Sequence, residues 1–206
     1  MSKHHALPAS PETIHWGYFD ARLKPVLTID SGDRVTIDSV SGGPDDIPTD
    51  PRFEVLPEHR AIHAKHQPRF GAHILTGPIA VNGAEPGDVL EVRILDVDLR
   101  QNWAYNRIMP LKGSLPEDFK LFRRLHIPLD RKTRMATMPW GTQLPLGPFF
   151  GVMGVAPPAV YGAVSSIEPR EYGGNIDLKE LQAGATFFIP VFTPGALFSA
   201  GDGHAV

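Results

Sequence analysis

The sequence predicts a mainly β protein, a sandwich with loop and short helical insertions, on three observations. The 21 prolines and 20 glycines are scattered through all 206 residues. Few uninterrupted windows are left for a helix, and short strands joined by tight turns are favoured. Three stretches, DSGDRVTID, EPGDVLEVRILDVDL and QAGATFFIPV, each set a glycine turn before an alternating or apolar run. In the second, Leu90, Val92 and Ile94 fall on one face and Glu91 and Arg93 on the other, the period-two mark of a half-buried strand. The likeness among the three is a shared turn-to-strand device, too short to establish an internal duplication.

Taken in order, a first strand is expected at Val26 to Ile29 and another after the Gly32 turn. LPEHRAIHAKH, between Pro57 and Pro68, reads as a helix with a first-turn glutamate suited to a helix N-terminus. Strands follow at Ile74 to Val81 and after Gly87. Asn102 to Thr142 reads as a long excursion from the main sheet, with SLPEDFKLFRR as a helix capped by Ser114 and opened by Pro116. Strands are then expected at Arg124 to Pro128 and Phe150 to Val155. DLKELQAG suggests a single helical turn ended by Gly184, ahead of the last glycine-led strand. No charge run or low-complexity linker marks a domain boundary.

Composition narrows the function classes. A formal net charge of -3 argues against nucleic acid or an anionic membrane as partner. No apolar run approaches the ~20 residues of a membrane span. The opening MSKHHALPASPETIHWG lacks the apolar core of a secretory signal, so a cytoplasmic globular protein is expected. With no cysteine, any metal must be held by His, Asp, Glu, carbonyls and water.

Several polar motifs could carry chemistry. In GDGHA, Asp202 and His204 are two apart and share one side of a strand, as suitable ligands for a zinc-type ion. An ordinary turn with a surface histidine fits the same letters. In EYGGNIDLKEL, Gly173-Gly174 permits close backbone approach or positive φ. Asp177 behind it could bind metal, accept a proton or cap the following turn, and Asn175 could donate to a substrate carbonyl or satisfy its own loop. His73 opens the run HILTGPIAVNG, where a satisfied structural histidine is the plainer reading. His59, His63 and His66, spaced i, i+4, i+7, share a helix face; such a stripe can bind metal, but Arg60 and Lys65 point to a solvated face. The glycines of GPFFGVMGVAPP suggest close packing or an open pocket wall. Ser165 and Ser166 read as loop residues, and there is neither a phosphate loop nor a nucleophile elbow.

Together, HILTGPIAVNGAEPGDVLEV, FFGVMGVAPP followed by GGNID, and GALFSAGDGHAV resemble the acetamidase/formamidase family in order and spacing. HWGYFDARLKPVLTIDSGDRVTID is similar to that family's opening, so the resemblance runs from about His15 to Val206. It implies a CUB-like β-sandwich, hydrolysis of short linear amides such as formamide and acetamide to carboxylate and ammonia, and a bound divalent metal, here zinc. It puts His73, Asn175, Asp177, Asp202 and His204 at polar motif positions, with Asp38 near another. In the family, GDGHA is followed by a Gln-Gly-Asp-Gly-Glu-type stretch and further strands. Residues 1–206 are therefore expected to be a single domain incomplete at its C-terminus.

The expected mechanism has a metal held by His204, Asp202 and His73 activating water. Asp177 would take the water proton and deliver it to the leaving nitrogen, while Asn175 or a backbone N–H near Gly174 would stabilise the oxyanion. The expected partner is a small amide, and a homo-oligomer is expected. The alternative is a non-catalytic β-sandwich, a binding or assembly module that retains the fold.

Overall fold

In the computed structural model, which describes residues 2–206, the scattered prolines and glycines divide the chain into short strands around a single α-helix. In chain order these are β1 (His4–Leu7), β2 (Ile14–Trp16), β3 (Tyr18–Phe19), β4 (Leu27–Ile29), β5 (Arg34–Ile37), helix α1 (Pro57–Lys65), β6 (Ile74–Val81) and β7 (Val89–Arg93). The excursion contributes β8 (Trp103–Ile108), β9 (Arg123–Asp130), β10 (Met135–Thr137) and β11 (Gln143–Pro145). The chain then returns through β12 (Phe149–Gly154), β13 (Val164–Ser165), β14 (Gly173–Asn175), β15 (Thr186–Pro190) and β16 (Phe198–His204). No helix among the described residues is long and apolar enough to cross a membrane.

The principal sheet runs β14-β12-β16-β6, and β2 and β4 share the far edge of β6. β2 pairs antiparallel with Ile74–Thr76, and β4 pairs parallel with Ile79–Val81. The change falls at Gly77-Pro78. Gly77 has φ +138°, and a Cβ there would stand 2.6 Å from Ser199 Oγ, so only glycine fits. β16 shifts register against β6 at the same level, between Phe198 and Ala200.

The core lies between this sheet and two ribbons, β1–β5 and β7–β15. Leu75, Ile79, Val152 and Met153 from the sheet meet Val35, Ile37, Leu90, Val92 and Ile189. The alternation in β7 does what its pattern implies. Leu90, Val92 and Ile94 pack inward, while Glu91 and Arg93 point out and pair at 2.7 Å. The excursion is a four-stranded antiparallel sheet, β8 to β11, with its own small core of Ile127, Leu129 and Ala136.

Helix α1 matches its prediction, but SLPEDFKLFRR is not a helix. The chain turns around Leu115 to Asp118 and enters β9 at Arg123. Leu115, Phe119 and Phe122 would share one helix face, but they and Leu121 are exposed, and a short helix whose apolar face nothing covers gains too little to form. DLKELQAG makes only a turn closed by Leu181 N–H on the Leu178 carbonyl, and Asp177 does not cap it. The histidine face of α1 is also not solvated. His59 is 1% exposed, and the ring of His63 stacks on Trp16 at 5.3 Å.

Candidate active site

Gly151, in the middle of β12, organises the site. In the β12–β16 pair, Phe149 stands opposite His204 and Val152 opposite Gly201, which sets Gly151 across from Asp202. Strand alternation puts Asp202 and His204 on one face, and the His204 ring stacks on Phe149 at 4.8 Å and 14°. Asp202 adopts φ +54°, a conformation that aspartate tolerates better than most residues. Asp177 arrives from the loop after β14. Its N–H and that of Ile176 both donate to the Gly151 carbonyl, at 3.1 and 2.9 Å. The missing side chain of Gly151 leaves room for all three. A Cβ there would lie 2.5 Å from Asp177 Oδ1, 2.6 Å from His204 Nε2 and 2.9 Å from Asp202 Oδ2.

His204 Nε2 is 3.2 Å from Asp202 Oδ2 and 3.2 Å from Asp177 Oδ1. One ligand atom from each of the three residues lies within 4.8 Å of the other two, so these three could hold an ion together. His73 stands beside the cluster. Its Nε2 is 3.8 Å from Asp202 Oδ2, and its Nδ1 is 2.8 Å from Ser166 Oγ, which is wholly buried. The hydrogen bond with Asp202 raises the His204 pKa, and burial only partly offsets it. Burial works to raise the Asp202 carboxyl. The His204 hydrogen bond, with the charges of His73, His204 and Arg107, outweighs that and holds it below the ordinary range.

Of the residues singled out from sequence, Asp177, Asp202 and His204 come together, with His73 adjoining. Gly174 and Asn175 do not join them. Asn175 pairs with Val152, so alternation directs it to the face opposite Gly151, and its Oδ1 is buried without a hydrogen-bond partner in the protein. Gly174 serves the backbone at φ +109°.

Sequence reasoning missed three features. Gly151 was legible only as one of several glycines. Ser166 carried no signal pairing it with His73, 93 residues away. The excursion also returns as a cleft wall. Tyr105, Arg107 and Arg124 line the same cleft as Asp202 and His204, with both arginines on the buried Asp46 at 3.3 and 2.9 Å. Burial and then the charge of Asp46 push the Tyr105 hydroxyl up to about 12, so it stays a neutral donor.

The family model described as Acetamidase/Formamidase family matches residues 19–163 and 159–206, nearly the whole chain. The chain belongs to the acetamidase/formamidase family. Among its relatives is an acetamidase of Mycolicibacterium smegmatis, 28% identical, the match covering 64% of this chain and 47% of that protein. The crystal structure of acetamidase from Bacillus halodurans superimposes with a TM-score of 0.79 at 28% identity, covering 98% of this chain and 62% of that one. Acetamidase from Yersinia enterocolitica gives 0.77 at 27% identity, covering 98% and 60%. The mainly β fold of this family, expected from the sequence, is the fold found. The chain spans about half the length of the curated relatives it matches.

Proposed function

We propose that this acetamidase/formamidase family chain hydrolyses the C–N bond of short linear amides, releasing carboxylate and ammonia. The observation that carries the reading is the convergence of Asp177, Asp202 and His204 over Gly151, in a family whose relatives include acetamidases and formamidases. Two carboxylate oxygens and an imidazole nitrogen are a donor set suited to zinc. His204 Nε2 is 3.2 Å from a carboxylate oxygen of each aspartate, and one ligand atom of each residue lies within 4.8 Å of the others, close enough that these residues would hold one ion. In this reading Asp177, Asp202 and His204 hold the ion, with His73 against Asp202. When bound, a divalent ion supplies Lewis acidity, polarising an amide carbonyl and acidifying water.

The protein's own groups do the rest. Phe149 fixes the ring plane of His204. Asp177 is the most exposed of the three, so one carboxylate oxygen can face the ion and the other the substrate side. Its carboxylate takes the proton from attacking water and passes it to the departing nitrogen, because an amide anion is too basic to leave unprotonated. Tyr105 stays neutral and lines the cleft, and in this reading its hydroxyl donates to the amide oxygen.

The test is ammonia release from formamide and acetamide by the purified chain, before and after chelation and after zinc is restored. Turnover lost on chelation and recovered with zinc is expected. A metal-replete, folded chain that releases no ammonia from either amide would overturn the proposal.

A further inference from the structure

Three segments distant in sequence are drawn together behind the His73 ring. The Gly17 N–H donates to the His73 carbonyl at 2.8 Å, and the Gly17 carbonyl accepts the Ser166 N–H at 3.0 Å. Gly71 closes on the same point, where a Cβ would lie 2.4 Å from Ser166 Oγ. The wholly buried Ser166 hydroxyl is thereby held 2.8 Å from His73 Nδ1. On its other side the His73 ring reaches the site, with Nε2 3.8 Å from Asp202 Oδ2.

The two ring nitrogens therefore face different chemistry. Nδ1 meets a hydroxyl, which can donate or accept, whereas Nε2 faces a carboxylate, which only accepts. The neutral ring carries one proton. On Nδ1 it would leave the Nε2 lone pair turned toward a negative oxygen in a largely buried site. On Nε2 it turns an N–H dipole toward that charge, and Ser166 completes the arrangement by donating to Nδ1. At 3.8 Å this is no hydrogen bond, but the attraction of charge for dipole persists where water is mostly excluded. With its Nδ1 lone pair taken by Ser166 and a proton on Nε2, the ring has nothing left to give a metal. The distances agree. The ligand atoms that lie within 4.8 Å of one another come from Asp177, Asp202 and His204, without His73.

We infer that Ser166 is a positioning residue: it holds His73 in the tautomer protonated on Nε2, which makes His73 a donor beside Asp202 rather than a ligand of the ion. The family resemblance implied a ligand at this position, and the geometry gives it a different task. A group that steadies a ligand carboxylate from behind tunes metal affinity without touching the metal. The consequence for the ion rests on the amidase reading above, whereas the tautomer itself does not.

The tautomer is read by long-range proton–nitrogen correlation NMR of the histidine-labelled chain, the His73 signals being assigned by their loss in His73→Gln. At about pH 8.5, some two units above the ordinary imidazole value, Nε2 is expected to show the protonated shift and Nδ1 the bare one, without zinc and with it. A proton on Nδ1, or a zinc-bound Nε2, would overturn the inference. In Ser166→Ala the single pattern should give way to a mixture of both tautomers, which loss of packing alone would not cause. An unchanged pattern would remove Ser166 from the role. Zinc affinity, measured by competition with a chelator, is the second check. His73→Gln keeps a side-chain N–H and should lose no more than about tenfold, whereas a loss as large as that of His204→Gln would make His73 a ligand. Should Ser166→Ala fail to fold, the tautomer in the unmodified chain and the affinity of His73→Gln decide the matter. None of these measurements needs substrate, so a chain that releases no ammonia refutes the hydrolase reading alone.

Discussion

Replacing Gly151 with alanine adds one methyl group at the point where the three site residues meet. Its Cβ would lie 2.5, 2.6 and 2.9 Å from Asp177 Oδ1, His204 Nε2 and Asp202 Oδ2. Those distances are roughly 0.6–1 Å short of the ~3.5 Å at which non-bonded contact becomes favourable. Gly151 is not in the left-handed region, so alanine adds no backbone strain and the effect is steric. The atoms it meets are the ends of side chains, one of them half exposed on Asp177, and they can move aside. The stability cost therefore falls at the low end of overpacking, about 1 kcal/mol, or a Tm lower by about 2–4 °C. Function should suffer far more. A displacement of ~1 Å in a reacting group costs on the order of 100-fold in rate. Zinc affinity, read by competition with a chromophoric chelator, should fall at least about tenfold. Gly203→Ala is the control: it lies beside Asp202, yet a Cβ there meets nothing within 4 Å, so rate and affinity should not change. Wild-type ammonia release and zinc affinity in Gly151→Ala would refute the argument that this glycine makes room for the site.

Asp177→Asn should lower ammonia release by about 100-fold or more and weaken zinc binding, while leaving the Tm of the metal-free chain nearly unchanged, because the group is half exposed. Acetamide should be turned over faster than benzamide, and a clear preference for benzamide would count against the family's small-amide chemistry in this chain. Asp46→Ala should destabilise by about 2 kcal/mol in urea melts. It removes a buried carboxylate from Arg107, Arg124 and the Gly43 N–H, and the partial exposure of both arginines tempers the loss. His15 is buried and its pKa is lowered from 6.5 to about 4 by desolvation, so it binds its proton more readily in the unfolded chain. Stability is then fully present above pH ~6.5 and declines as pH falls toward ~4, by about 3 kcal/mol over that window. His15→Gln should flatten that part of the pH–stability curve, and an unaltered acid limb would show that His15 does not cause it.

Local pattern carried much of the fold. Two-residue alternation in Val89–Arg93, glycine before each strand, and Pro57 with Glu58 at the start of α1 act through neighbours only a few residues apart, and chain geometry alone sets their effect. The Asp202–His204 pair was legible for the same reason, since residues two apart on a strand share a face. Where the outcome depended on burial, the sequence misled. SLPEDFKLFRR has helix-starting letters and an apolar face that nothing covers, and His59 sits among charged neighbours yet is enclosed between Trp103 and His63, the latter itself stacked on Trp16. Asn175 and Asp177 look equivalent as letters, but pairing with Val152 directs one away from the cluster, while two hydrogen bonds to Gly151 bring the other in. The approach of Ser166 to His73, and the return of Tyr105 and Arg107 to the cleft, join residues far apart in the chain. Only packing of the sheets, driven by apolar burial that is indifferent to sequence separation, could decide those contacts.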